Sequence, residues 1–282
     1  MRRVLALAFA LIATPAAARK EPPVTADAVW RPATAVLEDV QKNCAAGGDC
    51  LIAKMKAGAS PAAIAFSESI HNEGWLRDFR KSGNVDIAYV HYLNRADVWL
   101  LVNGTPSPVD VDDLRKLPKA DMAENSAWQK LSGRNPNATL FPDDHAGSVG
   151  PLAIVHADGT QDFVVPYKVR DGCPTCAEIG TAFLAYEFNA KGKQTGLFFI
   201  DAVTESGAFP LPVRAGEKFT LVLGPGDWSL AQEPARWILR NTGHNGSSWT
   251  FQAFSNGSTQ MVLTSGAETL TLRVIVAPGL GH

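Results

Sequence analysis

From Phe219 to Val276 the chain alternates apolar and polar side chains in short runs. They are Phe219-Thr220-Leu221-Val222-Leu223, Trp237-Ile238-Leu239, Trp249 to Phe254, Gln260 to Leu263 and Leu270 to Val276, with turn residues between them. Successive residues of a strand point to opposite faces, so this pattern buries one face of a sheet and wets the other. Many short strands separated by turns build two packed sheets, and residues 210–278 therefore read as an immunoglobulin-like β-sandwich. The tryptophans Trp228, Trp237 and Trp249 fit its core, or else line a carbohydrate- or protein-binding surface.

The segment before it, 151–205, reads as a β-meander. Leu152 to His156 and Phe163 to Val169 flank an Ala157-Asp158-Gly159-Thr160 turn, and Thr181 to Phe188 and Thr195 to Ala202 flank the glycine-containing loop Asn189 to Lys193. Residues 19–131 read as an α+β domain. Ala33, Val36, Leu37, Val40 and Cys44 lie at helical spacing, Gly47-Gly48 breaks that helix, and Leu51, Ile52 and Met55 form a short second one. Ser60-Pro61 supplies an N-cap and a first-turn proline for a third helix carrying Ala63, Phe66 and Ile70. Trp75, Leu76 and Phe79 continue the apolar spacing past Gly74, which predicts a further helical turn or two. The period then becomes two. Val85 to Val90 and Val98 to Val102 predict a β-hairpin whose second strand, apolar throughout, is buried on both faces. Asp112 to Leu131 is helical in pieces, and Ser132 to Gly150, rich in Gly, Asn, Pro and Asp, predicts a domain boundary or a long functional loop. The fold class is α+β.

A chain of 282 residues, 46% hydrophobic, has the material for two or three domains. Its 26 basic against 28 acidic residues exclude a nucleic-acid binder that relies on phosphate contacts. Arg2 and Arg3, the apolar run Val4 to Ile12 and the small residues Ala16-Ala17-Ala18 have the order of a secretory signal peptide over residues 1–18. That run is too short to cross a bilayer and no later stretch replaces it, so no membrane span is expected and the location is periplasmic or secreted, in a bacterium. Cys44, Cys50, Cys173 and Cys176 are an even set in an oxidising compartment, which predicts two disulfides. The spacings favour the local pairs Cys44 with Cys50 and Cys173 with Cys176, among three possible connectivities.

Arg214-Ala215-Gly216-Glu217-Lys218-Phe219, and Gly243-His244-Asn245-Gly246 followed by Trp249, Phe251, Ala253 and Gly257, resemble the opening strand and the glycine loop of the chagasin-like inhibitors of cysteine peptidases. Those are small immunoglobulin-like domains that insert loops into a papain-type active site. The resemblance covers about a quarter of the chain and implies a sandwich fold. Gly224-Pro225-Gly226-Asp227-Trp228 stands where the family has Asn-Pro-Thr-Thr-Gly, and Ser265-Gly266-Ala267 where it has Arg-Pro-Trp. The N-terminal stretch, with Gly58-Ala59-Ser60-Pro61, Val85 to Val90 and Leu101-Val102-Asn103-Gly104, resembles exported bacterial proteins of unassigned function.

Catalytic motifs are incomplete. Cys173-Pro174-Thr175-Cys176 has the spacing of a redox pair, but a low-pKa thiolate needs a helix N-terminus and the surround is β-rich. Glu68, His71 and Glu73 fit the polar face of a helix, and Ser67 and Ser69 lack the Gly-x-Ser-x-Gly elbow of a serine hydrolase. Asp110, Asp112, Asp113 and Asp121 lack the glycine and closing glutamate of a calcium loop, and an acidic cluster before Leu114 also suits a helix start. Asp143-Asp144-His145 is the place for hydrolytic chemistry in the N-terminal half. The expectation is therefore an exported protein that binds another exported protein, with a cysteine peptidase as the concrete partner, through Trp228, Gly243, His244, Asn245 and Gly246. No catalytic residue, metal site or cofactor is assigned. An exported enzyme, either a thiol-disulfide oxidoreductase using Cys173 and Cys176 or a hydrolase around His145, is the alternative.

Overall fold

A computed structural model describes residues 24–103, 108–142, 150–204 and 208–278. The signal segment and Asp143 to His145 lie outside the described residues. The chain opens with helices α1 (Thr34–Asn43), α2 (Asp49–Met55) and α3 (Pro61–Ser69), the last capped by the Ser60 hydroxyl, which accepts the Ala63 amide at 3.0 Å. An antiparallel sheet follows in the order β1 (Gly74–Arg80), β2 (Asp86–Tyr92), β3 (Val98–Val102) and β4 (Val109–Asp110). Then come α4 (Lys119–Glu124), α5 (Ser126–Arg134) and β5 (Ala138–Pro142).

The second sheet is the centre of the molecule. It contains β6 (Leu152–His156), β7 (Gln161–Asp171), β8 (Glu178–Phe188) and β9 (Gln194–Val203), with β5 paired to β7. The remaining strands are β10 (Phe209–Arg214), β11 (Lys218–Val222), β12 (Ser229–Gln232), β13 (Leu239–Asn245), β14 (Ser248–Ala253), β15 (Gly257–Ser265) and β16 (Glu268–Ala277). Four of them form a third sheet, β10-β16-β15-β12, in which β10 runs parallel to β16. The other three continue the central sheet in the order β13-β14-β11-β6, because β11 pairs with β6 from Phe219 opposite His156 to Val222 opposite Ala153.

Over β7 and β8 the central sheet is buried on both faces. On β7, Phe163, Val165, Tyr167 and Val169 join Ile87, Tyr89, Trp99 and Leu101 of the first sheet in one core, whereas Val164 faces Leu211, Val213, Met261 and Leu272 of the third sheet in another. The period of two thus divides a single strand between two cores. Helices pack on the first sheet at two places: Leu76, on the face away from the central sheet, meets Ala28 and Phe66, and Trp75, on the other side of β1 beside His91, meets Trp30, Leu51 and Met55. Among the described residues no helix is long and apolar enough to cross a membrane.

The protein is mostly β with a few helices, within the α+β class, and several expectations need correction. Trp75, Leu76 and Phe79 belong to strand β1 and not to a helix. His71 and Asn72, both at φ 60°, end α3, and Gly74 lies so close to His91 that a Cβ would come within 2.0 Å of its carbonyl oxygen, so only glycine fits at the start of this pairing. Apolar residues at 75, 76 and 79 fit either period, and a register shift between Leu76 and Asp78 blurs the strand pattern further. The expected break at 132–150 instead begins with α5 and contains β5, which is part of the central sheet. Trp237 and Ile238 precede β13 in a turn, and Trp237 is 73% exposed, not core. In β3, predicted buried on both faces, Val98 and Leu100 are only half-buried.

Candidate functional site

Three turns meet at one end of the C-terminal strands. The segment 224–228 joins β11 to β12, Gly246-Ser247 joins β13 to β14, and Gly266-Ala267 joins β15 to β16. The Leu223 amide donates to the Ser247 carbonyl at 2.9 Å, and a side chain at Gly226 would run into the Ser265 hydroxyl at 2.4 Å, so the first turn touches both others. The first sheet reaches the same end. Arg80 lies over the Trp99 ring at 5.7 Å and beside Gly224, and burial lowers its pKa.

The predicted contact residues divide here. Gly243, His244, Asn245 and Gly246 are exposed, but they are not a long loop: β13 runs through Asn245, and only Gly246 and Ser247 make the turn, with Gly246 at φ 58°. His244 pairs across the ladder with Trp249 and stacks on it, ring centroids 4.7 Å apart. Trp228 points the other way. It is 6% exposed, packs into the core between the second and third sheets, and donates its indole N–H to the Gly224 carbonyl at 2.9 Å. A tryptophan in that position holds the 224–228 turn from beneath and offers no ring to a partner.

Cys44 is disulfide-bonded to Cys50 at the corner between α1 and α2, and Cys173 to Cys176 in the turn between β7 and β8. The second pair sits between antiparallel strands, where the Cys176 carbonyl accepts Arg170 Nη1 at 3.0 Å. A helix N-terminus, which would stabilise a thiolate, is absent from that turn. Asp113 accepts the Arg115 amide at 3.3 Å as the cap of a short 3-10 turn, and the hydrogen bond from the Arg115 side chain lowers its pKa to about 2. Among the described residues no three His, Cys, Asp or Glu side chains are grouped to hold a metal ion.

A pocket of about 250 Å³ opens between the β6–β7, β8–β9 and β10–β11 turns. His156 forms its floor, with Nε2 2.9 Å from Asp162 Oδ2 and Nδ1 hydrogen-bonded to Glu217. Burial alone would lower the His156 pKa, but its two carboxylate partners outweigh that and raise it to about 10. Burial pushes Glu217 up, while the bonds from His156 and the Arg214 amide outweigh it and hold the carboxyl below the usual range. His156 is therefore an imidazolium with both N–H groups donated, and it has no lone pair to act as a base. It ties β6 to the β10–β11 turn. Sequence reading placed His156 at a strand end and Glu217 in the opening of a sandwich, and nothing local signals that residues 61 apart are hydrogen-bonded.

Neither a protein-family model nor a curated protein matches this chain. Among solved structures, domains 4 and 5 of the S-layer protein SbsC are similar at 17% identity over 36% of this chain and 68% of that one, with a TM-score of 0.19. SbsC domains 4–9 are similar at 13% identity over 72% of this chain and 31% of that one, TM-score 0.20. The Bacteroides ovatus mixed-linkage glucan utilization locus protein SGBP-B, in complex with a heptasaccharide, is similar at 11% identity over 70% of this chain and 54% of that one, TM-score 0.16. Likeness at that level defines no shared fold.

Proposed function

We propose that this is an exported, non-enzymatic binding protein, periplasmic or secreted, that holds another exported protein at the three-turn end of an immunoglobulin-like C-terminal sandwich. The observation that carries the reading is the convergence of 224–228, Gly246-Ser247 and Gly266-Ala267 on one end, with Gly243, His244, Asn245 and Gly246 exposed beside them. Turns held by a rigid double sheet are a common way to present a binding surface. The strand arrangement supports the sandwich: β10, β16, β15 and β12 lie on one side of the core and β13, β14 and β11 on the other. The resemblance of 214–219 and 243–257 to chagasin-like inhibitors makes a papain-type cysteine peptidase the concrete partner. His244, braced by Trp249, and Asn245 are the contact residues; Trp228 shapes the neighbouring turn.

The test is inhibition of papain by the full mature chain, read as residual hydrolysis of a peptide substrate. Inhibition that weakens about tenfold in His244→Ala/Asn245→Ala, as loss of interface anchors does, supports the reading. Unimpaired hydrolysis at high protein concentration removes the peptidase as partner. Capture from the source periplasm that is the same for wild type and the double variant removes the turn end as the binding surface.

A further inference from the structure

The opposite end of the same strands carries a second surface. Trp237 is 73% exposed and Phe254 46% exposed, and their backbones adjoin, because the Phe254 amide donates to the Ile238 carbonyl at 2.9 Å. Arg240 places its guanidinium 4.9 Å from the Phe254 ring centroid. Arg240, Gln252 and Lys218 are in register across β13, β14 and β11, and Arg236 is exposed one residue before Trp237. Glu217, which precedes Lys218, is turned onto His156; the other exposed acids at this end are Glu233, before Arg236, and Asp158 in the β6–β7 turn, one strand beyond Lys218, so the basic groups lie on the Trp237 side of the tip. Two large exposed aromatics thus share this end with Arg236, Arg240 and Lys218, and Arg240 lies over one of them.

We propose that this tip docks on an anionic lipid surface. An indole is favoured at the headgroup boundary, where its apolar ring leaves water and its N–H does not, and a phenyl ring beside it enters the acyl boundary. Lys and Arg beside them meet the phosphates, each contributing to the attraction that an anionic leaflet exerts. A neutral glycan would need neutral hydrogen-bonding groups beside the rings; the Gln252 amide nitrogen is turned onto the Gly216, Glu217 and Ala253 carbonyls, and the donors at this end on Arg236, Arg240 and Lys218 are cationic. Docking by this tip leaves the Gly246-Ser247 and 224–228 turns facing away from the bilayer, since β11, β13 and β14 each run from one end to the other. The surface is separate from the turn end and stands whether or not a peptidase binds there.

Sedimentation of the full mature chain with vesicles of phosphatidylcholine, with and without phosphatidylglycerol, tests this. Binding is expected only with phosphatidylglycerol, falling with added salt and at least about tenfold in Trp237→Ala and in Arg236→Glu/Arg240→Glu. Both changes are at exposed positions, and an unchanged thermal transition confirms that the variants are folded. Absence of binding to phosphatidylglycerol vesicles overturns the proposal, as does binding that neither variant weakens. Retention on a soluble acidic polysaccharide without vesicle binding reassigns the tip to a glycan. A dimer that Trp237→Ala abolishes, again without vesicle binding, reassigns it to a second copy of the chain.

Discussion

His156 on β6 is hydrogen-bonded to Glu217 in the turn between β10 and β11, and this pair fastens the central meander to the C-terminal strands at the edge of their shared ladder. Asp162 holds the other ring nitrogen at 2.9 Å. The three groups act as one unit, in which an imidazolium is held between two carboxylates.

The tie gives a defined pH dependence. The folded pKa of His156, about 10, lies above its ordinary value of 6.5, so its contribution is full below the lower value and is lost as pH rises through the upper one. Glu217 adds a contribution that is lost in acid, as pH falls through its depressed pKa. His156→Asn is expected to cost about 3 kcal/mol in urea unfolding near pH 7, since it leaves two partly buried carboxylates without their cation. The gap between wild type and variant should narrow above about pH 10. A gap that is flat across that range would show that His156 is not protonated in the fold.

Gln161 joins the first sheet to the second. It is fully buried, accepts the Val85 amide at 2.8 Å, and donates to the Ser82 and Val85 carbonyls, each at 3.1 Å. Gln161→Leu leaves the Val85 amide and the Ser82 carbonyl unmatched, while the Val85 carbonyl keeps the Ser82 hydroxyl, and is expected to cost about 2–3 kcal/mol. Denaturant unfolding measures it. Gly83→Ala is expected to destabilise as well, because φ there is 147° and a Cβ would meet the Gln161 amide at 2.8 Å.

Trp228 and His244 have opposite characters although both belong to the turn end. Trp228→Ala removes a buried indole and its bond to Gly224, with an expected loss of about 3–5 kcal/mol. His244→Ala removes an exposed ring and should stay within about 0.5–1 kcal/mol of wild type. Thermal unfolding beside partner binding separates the two. Trp228→Phe should lose stability and retain most binding, and His244→Ala the reverse.

The disulfides are expected to differ in worth. Cys44 is 2% exposed and packs with Val40, Leu51 and Met55, whereas Cys173 and Cys176 stand in an outer turn. Each bridge closes a short loop, which limits the chain-entropy gain to about 2 kcal/mol. Cys44→Ala/Cys50→Ala adds a core defect to that loss and should lower the melting temperature more than Cys173→Ala/Cys176→Ala. Equal shifts would mean that the helical corner repacks without its sulfurs.

Much of the strand pattern was legible because periodicity reports which face is buried. The meander from Leu152 to Ala202 and the Val85–Val102 hairpin stand in the sequence nearly as they do in the fold. The strand β10 was hidden by Pro210 and Pro212, which an edge position tolerates because their missing N–H groups leave no gap in an interior ladder. Continuity between β6 and β11 left no trace, since a ladder between distant segments is written in neither of them. The same holds for the candidate sites. Exposed His244 and Asn245 were found from a local motif, whereas His156 with Glu217, and Trp237 with Phe254, are meetings of residues that are remote or unremarked in the sequence.

The pairing of β11 with β6 has a consequence for how this protein can be divided. A fragment cut near residue 210 would bare the edge from Phe219 to Val222 and the apolar faces that Leu152, Ile154 and Val164 now cover. An uncovered strand edge of that kind seeks another strand. Such a fragment is set up to exchange segments with its own copies, and the C-terminal strands are a wall shared with the rest of the molecule, not a transplantable module.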